Sequence, residues 1–233
     1  MIPIAKPYLT ADEAQAASDT ILTGWITQGP RVAEFEEKFA RYTGAKYAVA
    51  VSNCTTALHL AMIVAGVKEG DEVICPSMSY VATANSIKYV GAKPVFAEVN
   101  PKTYNLDAVD AERKITSKTK AILLVHQIGM PADIDAFKRL ADTYNLKLIE
   151  DAACAAGSAY QNKKIGSHSE LVCFSLHPRK VISTGDGGFI TTNREDYYQR
   201  MKLLRQHGMS VNDRVRHESA KVIFEDHVEV GYN

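Results

Sequence analysis

From residue 47 onward, short apolar runs alternate with amphipathic stretches, and this alternation is the strongest constraint on the fold. Residues 47–51, 72–75, 94–99, 121–125, 146–150, 171–175 and 188–191 read as strands. Residues 55–65, 81–89, 134–144 and 197–205 read as helices. Upstream, residues 11–22 and 31–43 also read as helices, the second with Val32, Phe35, Phe39 and Tyr42 at helical spacing. Strands interleaved with helices predict an α/β fold, a mostly parallel seven-stranded sheet with helices on both faces. At about 150 residues per domain, 233 residues make one large domain or two small ones. No repeat, low-complexity tract or linker divides them, so residues 1–233 are expected to form one domain.

Composition narrows the function. Lys plus Arg and Asp plus Glu both number 27, and a zero net charge argues against a broad nucleic-acid or anionic-membrane surface. The longest apolar run, residues 60–65, is far too short to span a bilayer. The N-terminus shows no basic segment followed by an apolar one, so a cytoplasmic location is expected by default. Cys54, Cys75, Cys154 and Cys173 form no CxxC pair, no metal-ligand spacing appears, and reduced thiols are expected. Cys75 and Cys173 end apolar runs and read as small buried hydrophobes.

In open α/β sheets ligands bind beyond the carboxyl ends of the strands. Those positions are unusually polar here. Ser52-Asn53-Cys54-Thr55 leads straight into an apolar helix, which suits either an anion site on free N–H groups or a plain N-cap. Tyr80, after the second strand, either stacks on a planar ligand or packs on the sheet. Glu150 and Asp151 end a buried strand. Asp151 is placed either to hold a cationic ring nitrogen or to cap a helix. His126 and Gln127 follow the fourth strand and face the same edge. Lys180 lies between a buried strand and the turn Gly185-Asp186-Gly187-Gly188. A lysine is usually solvated. One held at both ends against a core is instead placed to act as a Schiff-base nucleophile.

Several stretches together carry a resemblance: Gly24-Trp25 to Gly29-Pro30, Ser52 to Leu58, Pro76 to Thr83, Gly129-Met130-Pro131-Ala132-Asp133, Glu150-Asp151-Ala152-Ala153, Phe174 to Gly188 and Gly231-Tyr232-Asn233. In this order and spacing the chain resembles the DegT-type (StrS-like) sugar aminotransferases, pyridoxal-phosphate enzymes of the aspartate-aminotransferase fold. The resemblance implies roles. Lys180 stands at the lysine that forms the internal aldimine, and Asp151 at the partner of the pyridinium nitrogen. Tyr80 stands at the aromatic stacked on the cofactor ring. Cys54, Thr55 and Ser175 stand at phosphate-binding positions. Asn233 matches an asparagine that reaches the phosphate of the neighbouring subunit. Cys154 stands beside the cofactor's phenolic oxygen, where many members carry Gln or His.

The resemblance further implies pyridoxal 5'-phosphate as cofactor, an amino donor (usually glutamate), a nucleotide-linked keto-sugar as acceptor, and a homodimer with shared active sites. Lys180 favours transamination over the dehydration of relatives that carry His there. The other readings are such a dehydratase, or a non-catalytic regulatory protein that kept the fold. Family members continue into a smaller C-terminal domain beyond the point matched by Asn233, so this chain is expected to be the large cofactor-binding domain without it.

Overall fold

The structure is a computed structural model that describes residues 5–211, 215, 219, 223, 224 and 226–232. Among these residues, seven α-helices and nine strands follow one another. They are α1 (Ala11–Leu22), α2 (Pro30–Thr43), β1 (Tyr47–Val51), α3 (Cys54–Val64), β2 (Glu72–Pro76), α4 (Val81–Tyr89), β3 (Lys93–Ala97), α5 (Ala108–Arg113) and β4 (Thr119–Val125). Then come α6 (Ile134–Tyr144), β5 (Lys147–Asp151), β6 (Ala159–Tyr160), β7 (Lys163–Lys164), β8 (Leu171–Ser175), β9 (Gly188–Thr192) and α7 (Glu195–Leu204).

The helices start and stop where local chemistry tells them to. Asn53 caps α3 by accepting from the Thr56 N–H at 2.9 Å, and Asp133 caps α6 through the Ala136 N–H at 3.1 Å. Pro30 opens α2, and Gly44 closes it at φ 77°, a left-handed conformation that suits glycine.

Seven strands form one sheet in the order β1-β9-β8-β5-β4-β2-β3, as the alternation predicts. Every pairing is parallel except those of β9, which runs antiparallel to both β1 and β8. Helices cover both faces, and successive residues of a strand feed opposite cores. Leu123 packs with Leu58, Ala61, Ile87 and Met201 of α3, α4 and α7. Its neighbours Ile122 and Leu124 pack with Phe39 and Phe137 of α2 and α6. The central strands are therefore buried on both sides, which is why they read as continuous apolar runs.

Several elements differ from the sequence expectation by a residue or two, and α5, β6 and β7 were not expected. The strand expected at 94–99 lies at Lys93–Ala97, and the one expected at 146–150 lies one residue later and ends on Asp151 itself. That slip keeps Asp151 in register, opposite Val125 on one side and Cys173 on the other. Strand order reverses between β2 and β4, where the chain returns from the β3 edge to build outward through β5. A crevice opens at the carboxyl ends of the strands flanking this point. No helix among the described residues is long and apolar enough to cross a membrane.

Candidate active site

A cavity of about 560 Å³ opens at that edge. Of the eight residues singled out in the sequence, Cys54, Thr55, Tyr80, Asp151, Cys154, Ser175 and Lys180 all line it. Asn233 lies outside the described residues. Residues far apart in the chain thus meet because each stands at a strand end or just beyond one.

The floor is set by Asp151. It is buried, and its two carboxylate oxygens are each fixed, Oδ1 by the Ala153 N–H at 3.1 Å and Oδ2 by the Thr83 hydroxyl at 3.0 Å. Since the Thr83 hydroxyl donates to Asp151, the Ser79 hydroxyl, 2.7 Å away, donates to Thr83. Burial pushes the Asp151 carboxyl above the ordinary carboxylate value, and the two hydrogen bonds and Lys180 pull the other way. A buried carboxylate without a counter-ion is costly, so this position favours a cationic partner in the cavity. Asp151 caps no helix; its bond to Ala153 holds the turn that follows β5.

One wall is the start of α3. The Asn53 cap uses the Thr56 N–H, and the Ala57 N–H bonds to the Asn53 carbonyl at 3.0 Å. The N–H groups of Cys54 and Thr55, at the positive end of the helix, take no intrahelical bond, and both residues line the cavity. A cap and an anion cradle are therefore compatible: Asn53 makes the cap, and the next two residues keep amides that could make a cradle. The cradle depends on Gly188, where a Cβ would overlap the Asn53 carbonyl and the Cys54 nitrogen. The Cys54 thiol is buried, which raises its pKa well above the ordinary value. It serves as packing while its backbone serves the cradle. Ser175, the last residue of β8, adds a buried hydroxyl.

Lys180 enters from the segment between β8 and β9. That segment is closed at its neck, where Leu176 N–H bonds to the Gly187 carbonyl at 2.9 Å and Thr184 N–H to the Leu176 carbonyl at 3.1 Å. Inside the neck, Lys180 N–H bonds to the His177 carbonyl at 2.8 Å, and Arg179 N–H to His177 Nδ1 at 3.2 Å. His177 therefore shapes the loop. The half-buried Lys180 points its ammonium at Cys154 Sγ, 3.2 Å away. Tyr80 precedes α4 at the rim, 74% exposed, and packs on nothing that would bury it, so its ring is free to cover a ligand.

His126 and Gln127, singled out in the sequence, also line the cavity, but some residues and contacts of the site could not be read from the sequence. Thr83 and Ser79 form the relay behind Asp151, although their spacing marks nothing special. His126 is buried, accepts from the Ala132 N–H at Nδ1 (3.1 Å) and donates through Nε2 to Glu150 Oε2 (2.8 Å). The other Glu150 oxygen has no partner among the described residues. Gln127 bonds from its side chain to the Met78 carbonyl and tethers the rim. Ile128, 85% exposed, has φ 53°, a strained backbone for a β-branched residue.

The donors present fit pyridoxal phosphate: a two-amide anion cradle with a hydroxyl, a buried carboxylate for a cationic ring nitrogen, an aromatic at the mouth and a lysine within. Comparison with known proteins agrees. The chain is 46% identical over 214 residues to the GDP-perosamine synthase of Caulobacter vibrioides, covering 91% of this chain and 58% of that one. It is 40% identical over 209 residues to the spore coat polysaccharide biosynthesis protein SpsC of Bacillus subtilis, covering 90% of this chain and 54% of that one. It superposes on the putative sugar aminotransferase Spr1654 of Streptococcus pneumoniae in its PMP form with a TM-score of 0.92 and 30% identity, covering 100% of this chain and 63% of that one. The chain thus spans somewhat under two thirds of the length of these relatives. The sequence model of the DegT/DnrJ/EryC1/StrS aminotransferase family matches residues 7–233, and the chain belongs to that family.

Proposed function

We propose that this chain is the cofactor-binding domain of a pyridoxal-phosphate sugar aminotransferase, which moves an amino group from glutamate onto a nucleotide-activated keto-sugar. The observation that carries the reading is Lys180, held on a closed loop and projecting into a cavity floored by buried Asp151. The relatives named for GDP-perosamine and spore coat polysaccharide synthesis support a nucleotide-sugar acceptor and a role in surface polysaccharides.

Pyridoxal phosphate, when bound, supplies an electron sink for the bonding pair released as a carbon next to nitrogen loses its proton. The chain's own residues do the rest. The Cys54 and Thr55 N–H groups and the Ser175 hydroxyl hold the phosphate at the helix end. Asp151, with its two hydrogen bonds favouring the anion, would hold a proton on the ring nitrogen once that cationic partner is bound. Tyr80, exposed at the mouth, would cover one face of the ring and exclude water from it. The Cys154 thiol, placed by the resemblance at the phenolic oxygen, would be a weak hydrogen-bond partner and would perturb the ring less than an amide. Lys180 Nζ would anchor the group and, once released, would be the base that takes up and returns a proton at the amino donor's carbon. Proton transfer by a positioned group is worth about 10²–10⁴ in rate.

The test is an absorbance spectrum of the chain incubated with pyridoxal phosphate, before and after borohydride. We expect a visible band that borohydride converts to a permanent label on Lys180, and no such label in Lys180→Ala. A label on another lysine, or none, overturns the reading. Transfer of nitrogen from glutamate to a nucleotide keto-sugar then tests the substrate class.

A further inference from the structure

Lys180 and Cys154 stand closer than their separate roles require. We propose that the pair is an oxidative cross-linking site: hydrogen peroxide joins Cys154 Sγ to Lys180 Nζ through a direct sulfur–nitrogen bond.

Two independent features single out the pair. Nζ already lies 3.2 Å from Sγ, so a rotation of the lysine side chain closes the gap. Cys154 is also exposed, whereas Cys54, Cys75 and Cys173 are buried. Burial raises the pKa of each of those three thiols, to about 12 for Cys75, and withdraws them from oxidation. An oxidant entering the cavity therefore meets one accessible thiol, with an amine beside it.

The chemistry balances. Peroxide takes the Cys154 thiol to a sulfenic acid and is itself reduced to water. The lone pair of the neutral Lys180 amine then attacks sulfur, and the sulfur–oxygen bond breaks. The departing hydroxide leaves with the amine proton as a second water. One thiol, one amine and one peroxide give one S–N bond and two waters, the lysine counterpart of the sulfenamides that sulfenic acids form with nitrogen. A thiol reductant returns both side chains.

The consequence for the cofactor rests on the reading of Lys180 given above, but the bond itself does not. While Nζ is bonded to the cofactor it is no longer a primary amine free to swing onto sulfur, so the cross-link forms only when the amine is free. Oxidation then blocks reloading of the site.

The experiment treats the cofactor-free full chain with hydrogen peroxide, digests it without reductant and sequences the peptides by mass spectrometry. The expected product joins the Cys154 and Lys180 peptides with the loss of two hydrogens, and dithiothreitol separates them. Cys154→Ser and Lys180→Arg stay linear, and pyridoxal phosphate fixed onto the wild-type chain by borohydride prevents the link. Linear peptides with Cys154 recovered as a dimedone adduct, a sulfinic acid or a disulfide overturn the proposal, as does a link that retains oxygen. If no lysine takes the cofactor at all, the functional reading fails while the cross-link is still read directly.

Discussion

At the scale of single residues, the cost of the site is concentrated in Asp151. Its carboxyl is buried and its pKa is raised, chiefly by desolvation. Because the folded value lies above the unfolded one, the folded chain binds more protons in the window between them. Stability of the cofactor-free chain therefore falls as pH rises from the ordinary carboxylate value through the raised one. Asp151→Asn keeps the shape and removes the charge, so its melting temperature should gain on the wild type as pH climbs through that window, and the difference should level off above it. Melts of both proteins across acidic to neutral pH check this, and parallel curves would refute it. The same variant should lose most turnover, since a neutral amide no longer holds the ring proton. Asp151 was legible in the sequence because a charged residue at the end of a buried strand is conspicuous, and Lys180 because it lies between a buried strand and a glycine-rich turn. The Ser79–Thr83 relay and the His126–Glu150 pair were not, because hydroxyls and a histidine gain meaning only from partners that the sheet brings to them.

At the scale of elements, the cradle exists because β9 presses its first residue against the start of α3. Gly188 is where the two backbones meet, and a methyl group there has no room beside the Asn53 carbonyl. Its backbone is not left-handed, so the constraint is close approach rather than φ. Gly188→Ala should push α3 and β9 apart, at about 1–3 kcal/mol of overpacking. It should weaken cofactor loading more than the stability loss alone explains, because the displaced amides are those of Cys54 and Thr55. Denaturant unfolding beside a loading titration measures both effects, and unfolding without weaker loading would show that the cradle is elsewhere. The seven strands were legible from their apolar runs. The six-residue α5 and the two-residue strands β6 and β7 were not, since elements so short are held by tertiary contacts rather than by a periodic pattern of their own. The reversed direction of β9 was equally hidden, because a buried strand has the same apolar pattern whichever way it runs.

At the scale of the whole molecule, α1 is anomalous. A capping box at Thr10 and Glu13 starts it, yet none of its residues is buried. Ile21 and Leu22 at its end are 64% and 81% exposed. Ile26, Tyr80, Ile128 and Val181 are also exposed, the last three on segments that build the cavity. A helix of 12 residues is marginal in water by itself, so one with no buried residue needs a partner to stabilise it. We propose that the partner is a second copy of this chain, as in the homodimer that the family resemblance implies, and a two-fold interface uses each residue twice. Leu22→Lys tests it with little cost to the single chain, because the position is exposed and a basic residue in the last turn suits the helix dipole. Losing about 1.5–3 kcal/mol of apolar burial twice should weaken association by roughly 10²–10⁴. Sedimentation of the wild type should then give a dimer, and that of Leu22→Lys a concentration-dependent shift to single chains with an unchanged far-UV spectrum. A wild type that sediments as one chain, or a variant that stays dimeric, would assign α1 to some other contact.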